Sequence, residues 1–432
     1  MSLYSKIFIV AFAAITGGTL SGITSQVRAQ GLGNSPYSSL GVGEFYGEGY
    51  SDNTGMGQSG VSTGSGFQIN NLNPALWVRN RFTTLDIGLI GQYKDITSGT
   101  RKQQNAGGNL AYLSLSFPVH PRWAIGVNLK PYSFIDYENA FTRPVVGTPA
   151  VASYQTSGKG GINKASIVNS VAIGKYLNVG LESSYYFGNV RRASEVVLPS
   201  SEAGGDYIVS LNDRTTFSDI GFRAGAAVRI PIKKQNKLNL NLGGAYSFRT
   251  ALNSTQTTSF EVTQNSFNVL PPDTLLNDQT SSFTLPEQFQ VGASLEWPFK
   301  LVLSADYSRQ NWSKYRGLTG SNDNLQDVGR IHVGAEYLPR FASLKYFDVV
   351  RYRIGFSHWK TPYSINNANV NDTNISLGVT LPMGRLYQNF LSVALVAGQR
   401  GNTGAGQIRE RYGRAVLGIT LLERWFTKQK LD

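Results

Sequence analysis

The chain has 432 residues, with 40 Lys and Arg against 27 Asp and Glu, no Cys, 47 Gly, and aromatic side chains at 12%. At 41% hydrophobic and 16% charged it is too apolar for a disordered chain. The lack of Cys excludes a disulfide framework, thiolate metal sites, a Cys nucleophile and a lipidated N-terminal Cys.

Lys6 precedes an apolar stretch from Ile7 to Ile15, and small and polar residues then lead to Val27-Arg28-Ala29 before Gln30. This predicts a secretory signal peptide over 1–29, because the apolar run is shorter than the roughly 20 residues a membrane helix needs. An exported chain has no use for nucleic acid as a partner. Its scattered positive surplus suits membrane lipid and lipopolysaccharide phosphates instead. Residues 30–80 follow, rich in Gly, Ser and Asn and without a sustained period.

From residue 81 the pattern alternates. Leu85, Ile87 and Leu89 oppose Thr84, Asp86 and Gly88; Trp123, Ile125, Val127 and Leu129 oppose Gly126, Asn128 and Lys130. Ile331, Val333 and Ala335 oppose His332, Gly334 and Glu336 in the same way. A period of two places one apolar and one polar face on each strand. Strands are expected near 82–93, 108–118, 122–136, 164–176, 178–191, 214–231, 237–250, 286–297, 299–310, 326–338, 347–360, 371–382, 388–400 and 410–426. That is about 14 strands, an even number, and most are long enough to span a bilayer when tilted.

The connections alternate between tight turns, such as Pro118 to Arg122 and Trp297 to Lys300, and longer polar stretches at 94–107, 137–163, 192–213, 251–285, 311–325 and 361–370. This asymmetry predicts an all-β transmembrane antiparallel barrel of about 14 strands over 81–426, in the outer membrane of a Gram-negative bacterium, with the N-terminus periplasmic. An exported β chain in lipid must close, since an open edge leaves backbone groups unpaired in hydrocarbon. Tyr93, Trp123, Tyr132, Trp297, Tyr307, Trp312, Tyr337, Trp359 and Trp425 lie near strand ends, where interfacial girdles form. The last strand ends in Trp425-Phe426, an aromatic ending of the kind barrel-assembly machinery reads during biogenesis, and a short tail follows at 427–432.

A lumen of this size is too wide for wall side chains alone to fill, so 30–80 is expected to fold inside it as a plug or hatch. Asn73-Pro74, with Ala75, suits the end of such a hatch: Asn bonds neighbouring backbone and Pro fixes φ. Strand parity puts Asp86, Glu182, Glu296, Asp306 and Glu336 in the lumen with Lys130, Arg223, Arg229, Arg330, Arg351 and Arg353. Two uses are open to them. They brace the barrel and grip the hatch, or Arg351 and Arg353, two apart on one strand, bind a carboxylate together with Lys130.

The run Met56-Gly57-Gln58-Ser59-Gly60-Val61, followed by Asn70-Asn71-Leu72-Asn73-Pro74-Ala75-Leu76, resembles the hatch of the FadL-type long-chain fatty-acid transporters. Leu285 to Gly292, Leu303-Ser304-Ala305-Asp306-Tyr307 and Asn311-Trp312-Ser313 are similar to a later pattern of that family, with Asp306, Trp312 and Ser313 as its motif residues. The resemblance implies passive uptake of a hydrophobic or amphiphilic, fatty-acid-like molecule through a plugged barrel, with lateral exit at a kinked strand. Gly126 and Pro131 on the third strand are the candidates for that kink. PorV-like relatives imply an alternative, a non-transporting accessory barrel that binds another outer-membrane protein in a secretion or assembly complex. Loop 251–285, rich in Thr, Ser, Asn and Gln, leans toward a protein partner.

Catalysis is not expected. Only His120, His332 and His358 are present, at no metal-ligand spacing, and no Gly-x-Ser-x-Gly elbow sits on a strand-to-helix turn. Neither a catalytic residue, a metal nor a cofactor is assigned.

Overall fold

The computed structural model describes residues 31–147, 150–199, 205–233, 237–265, 267–317, 325–384, 389–404 and 406–423. The expected leader over 1–29, Trp425-Phe426 and the tail at 427–432 lie outside the described residues.

Fourteen antiparallel strands close into a barrel. In chain order they are Thr83–Ser98 (β1), Arg101–His120 (β2), Trp123–Pro144 (β3), Val151–Ile173 (β4), Leu177–Leu198 (β5) and Tyr207–Lys233 (β6). Next come Leu238–Ser247 continued by Thr250–Gln264 (β7), Asp273–Leu285 continued by Gln288–Trp297 (β8), Leu301–Gln310 (β9) and Val328–Tyr337 (β10). Arg351–Ile365 (β11), Ala368–Met383 (β12), Asn389–Arg400 (β13) and Arg409–Glu423 (β14) complete the wall. Closure is a continuous ladder between β14 and β1, from Glu423 opposite Thr83 to Arg409 opposite Thr97.

Parity follows the alternation. Leu89, Val127, Leu181, Val333 and Ile375 are exposed on the outer face, while Asp86, Lys130, Glu182 and Ser376 are buried on the inner one. Tyr93, Trp123, Tyr307 and Tyr337 lie outside. Tyr132 and Trp312 do not: they pack in the lumen against Phe45.

Several stretches expected as loops are strand. Most of 94–107 belongs to a β1–β2 hairpin whose ladder runs to Ser98 opposite Arg101. Likewise, 251–285 is a β7–β8 hairpin paired from Leu285–Thr250 to Asp273–Phe260. Along these extensions the outward face is polar at positions such as Asn253 and Thr255 while Phe217, Leu252 and Phe283 are buried on the inward one, so the apolar-outward alternation is lost from the sequence. One side of the wall therefore stands tall, with strands of 22 to 27 residues from β3 to β6 against 10 residues in β9 and β10.

Candidate functional site: the filled lumen and its lateral seam

Residues 31–80 are mostly buried, and they bond and pack against inward-facing residues of the wall. A short helix, Ser51–Gly55 (α1), is held by Ser51 bonding Tyr112 of β2 and by Asp52. Beyond α1, Gly57 N donates to Ser376 of β12 at 2.8 Å, and Gly60 N and Val61 N both donate to Oδ2 of Asp306 on β9, at 2.5 and 2.9 Å. Asn73 caps the turn Pro74–Arg79: its Oδ1 accepts from Ala75 N, and its Nδ2 donates to Val61 O and to Ala226 O of β6, each at 3.0 Å.

The path is set by glycine. At inward positions where other strands carry side chains, Gly126, Gly180, Gly225, Gly243, Gly334, Gly355, Gly378 and Gly418 meet the hatch directly. A Cβ at Gly355 would overlap the backbone of Met56 and Gly57, and one at Gly180 that of Pro74 and Ala75. These glycines form a belt across eight of the fourteen strands, and the hatch lies on it. Close backbone approach, not flexibility, accounts for them.

Charge holds the hatch at three points. Glu44 meets Lys94 and Arg400, both at 2.8 Å; Arg400 also meets Asp372 and Glu410 on β12 and β14. Glu48 meets Lys164 at 3.1 Å, Lys130 at 3.5 Å and Arg223 at 3.7 Å, while Arg223 and Lys164 share Glu182. Asp52 meets Arg353 at 2.8 Å and accepts from Thr380 and Ser392; Arg353 is further bound to Glu336 at 2.6 Å. Burial alone would raise the carboxyls of Glu44 and Glu48, but the cations outweigh it and hold both well below the usual carboxylate range. A buried charge is tolerated only with such partners.

The candidates for carboxylate binding are therefore occupied from within. Arg353 is taken by Asp52 and Glu336, Arg351 by Gln68 at 3.0 Å and Glu336 at 3.7 Å, and Lys130 donates to Gly47 O at 2.5 Å. The structure brings Arg351 and Arg353 together and leaves Lys130 with a separate cluster. Wall cations are evident from strand parity; Glu44, Glu48 and Asp52, their hatch partners, sit in a segment without a period and are missed for that reason. Among the wall cations, Lys94, Lys164 and Arg400 are missed as well.

Toward the long-hairpin end the lumen is closed by an apolar core that includes Tyr37, Ile135, Ile162, Phe217, Phe283, Trp312 and Tyr363. Trp312 is fully buried there, with Phe45 tilted on it at 4.8 Å. Ser313 instead bonds Asp327 at the surface. His332 bonds Gly57 O and Ser357, a wall-to-hatch contact.

Among the described residues the wall opens a seam between β2 and β3. β2 and β3 pair from His120–Trp123 to Leu113–Leu129 and no further, although both strands continue. Lys130 begins the unpaired stretch and Pro131 follows, where β3 also shifts register against β4 between Pro131 and Ser133. Gly126 lies below it, in the paired part, under the ring of Trp77. The hatch covers the free edge of β3: Glu44 and Phe45 pair with Phe134 and Ser133, Ser35 N donates to Asp136 O at 2.8 Å, and Tyr46 N to Tyr132 O at 3.0 Å. On the β2 side, residues 31–33 lie against Gly107. Two further ladder donors of β3 find acceptors in the N-terminal segment: Asp136 N donates to Ser38 Oγ at 3.1 Å and Glu138 N to Asn34 Oδ1 at 3.2 Å.

A model of the BamG family matches residues 8–432. No curated protein matches the chain. Among solved structures, the Ralstonia pickettii toluene transporter TbuX is similar with a TM-score of 0.51 at 16% identity, covering 87% of this chain and 99% of that one. The Pseudomonas putida toluene transporter TodX is similar at 0.53 and 16%, covering 87% and 97%, and a Pseudomonas aeruginosa FadL homologue at 0.55 and 12%, covering 87% and 98%. At such identities the likeness speaks for a shared FadL-type fold.

Proposed function

Because the chain belongs to the BamG family, we propose that it serves as a non-transporting accessory barrel of an outer-membrane assembly complex, with its short turns and N-terminus in the periplasm. The observation that carries this reading is the filled lumen: the hatch lies on a glycine belt, its three acids are clamped by wall cations, and an apolar core closes the far end. Such a barrel acts through its surfaces. The tip of the tall β7–β8 hairpin supports this, because Phe267, Val269, Leu270 and Leu275 stand exposed on it, an apolar group that suits a protein partner. The association of the family with barrel assembly supports it as well.

The test is native mass spectrometry of the barrel released from its own membrane in mild detergent. A stoichiometric protein partner is expected. A lone barrel carrying a stoichiometric lipid or fatty acid would overturn the reading.

The seam favours a second reading, passive uptake of a hydrophobic small molecule with lateral exit between β2 and β3 beside Pro131. The similar structures of the toluene transporters TbuX and TodX support it. In that reading the Asn73-Pro74-Ala75 turn is part of the gate, and Arg351, Arg353 or Lys130 must leave a hatch partner before gripping a carboxylate. A Phe45→Cys/Ser133→Cys pair locks the seam without competing thiols, since the chain has no Cys. Uptake of a labelled fatty acid should then stop on oxidation and return on reduction; unchanged uptake removes the lateral path.

A further inference from the structure

A cavity of about 1210 Å³ opens at the short-turn end, between the hatch loop 63–70 and the turns that join β2 to β3, β4 to β5, β6 to β7 and β8 to β9. Nine cationic and three acidic side chains line it. All three acids are engaged: Asp52 by Arg353, Glu296 by Arg229, and Glu336 by Arg351 and Arg353. Arg79, Arg81, Arg122, Lys175, Lys237 and Lys300 have no carboxylate partner among the described residues. Surplus positive charge in a concave, low-dielectric mouth concentrates anions there.

Deeper in, the unmet groups are all donors. Gln68 is 6% exposed, and its amide oxygen serves Arg351 and Arg353 while its Nε2 has no acceptor. Nη1 of Arg79 and Nε of Arg229 are buried without acceptors as well. Burial, with the nearby Arg229, pulls Arg79 down to about 10. Three donors and no acceptor fit a carboxylate or phosphate oxygen better than a water, which must also donate.

The wall decides between sources. Around this mouth the ladders reach the turns: Ile173 faces Leu177, Leu177 faces Val228, Trp297 faces Leu301 and Leu301 faces Tyr337, while β2–β3 and β6–β7 shift register there but pair again at His120–Trp123 and Lys233–Leu238. A phospholipid has no lateral way in, whereas a water-borne chain enters from the open end. Phe67, Phe82 and Phe299 on the lining offer apolar contact beside the charges. We propose that this vestibule binds an extended, acidic segment of a partner protein, with carboxylates on Gln68 and Arg79 and on the basic rim.

This inference rests on the accessory-barrel reading. The probe is a fluorescein-labelled peptide of alternating Glu and Phe, six residues long, added to the full barrel in neutral detergent and read by anisotropy at low and high salt. The barrel with Lys175→Gln, Lys237→Gln and Lys300→Gln, and separately the Arg79→Gln variant, should each bind it at least about tenfold more weakly, with loss of the salt dependence in the rim variant. Heat-modifiable migration on electrophoresis checks that both are folded, and the rim variant replaces only exposed side chains. Equal binding to wild type and both variants overturns the proposal. So does a result in which only phosphatidylglycerol vesicles, not the peptide, distinguish them. If the native barrel carries a stoichiometric partner while the peptide binds nowhere, the vestibule proposal falls and the accessory reading stands; if the peptide binds as expected but no partner copurifies, the reverse holds.

Discussion

Glu44 shows how much one side chain of the N-terminal segment can hold. Its carboxylate joins Lys94 of β1 to Arg400 of β13, across the strand pair that closes the barrel, and Arg400 gathers Asp372 and Glu410 as well. Glu44→Gln leaves Lys94 buried without an acid and should cost about 3 kcal/mol at neutral pH. The pH dependence follows from the lowered carboxyl: the native state binds the proton less readily than the unfolded chain, so the stabilisation is complete above the ordinary value of 4.5 and is lost as pH falls below it. Thermal unfolding followed by circular dichroism should therefore drop between pH 5 and about pH 3 in the wild type. The Glu44→Gln variant should start lower and fall less, keeping the share that belongs to Glu48.

Among the elements, the lipid-spanning strands were the most readable part of the chain. Leu85, Ile87 and Leu89 alternate because one face meets hydrocarbon, and the same logic gave β3, β5, β10 and β12. The tall extensions of β6, β7 and β8 escaped because their outward faces are largely polar, while the few apolar residues, Phe217, Leu252 and Phe283 among them, turn inward to the core and leave no apolar-outward period. The hatch escaped in detail for a different reason: its conformation is dictated by the wall, not by local propensity. One trace of it was visible, since Gly126, Gly180, Gly334 and Gly378 recur on the polar face, where a side chain would be expected. Gly355→Ala tests that belt. The new methyl meets backbone on the hatch, which has no rotamer to yield, so seating should weaken by about 1–3 kcal/mol. Limited proteolysis should release a fragment from 31–80 while the variant still migrates as a folded barrel.

For the whole molecule, the hatch and the wall are one structure, and the lumen charges make sense only when both are present. Without 31–80, Lys94, Lys130, Lys164, Arg223, Arg353 and Arg400 would line a wide, wet channel. A barrel lacking those residues should pass ions in a planar lipid bilayer in large, steady steps that favour anions, and the intact protein should stay closed. A silent deletion variant that is folded by electrophoresis would mean that the wall collapses on itself when emptied.

The contacts of the hatch also impose an order in time. Ser35 bonds Glu410 across 375 residues of chain, Tyr37 bonds Ile408 across 371, and Asp52 accepts from Ser392 across 340. The first part of the mature chain to emerge is thus the last that can settle, because its partners are made at the end of synthesis and brought near only when β14 meets β1. Until then its acids and the cations of the wall wait apart. Seating of the N-terminal segment is in this sense a check on completion: a chain that stops short of β14, or joins its strands out of register, has nowhere to put Ser35 and Glu44, and shows its unfinished state as a loose, protease-accessible end.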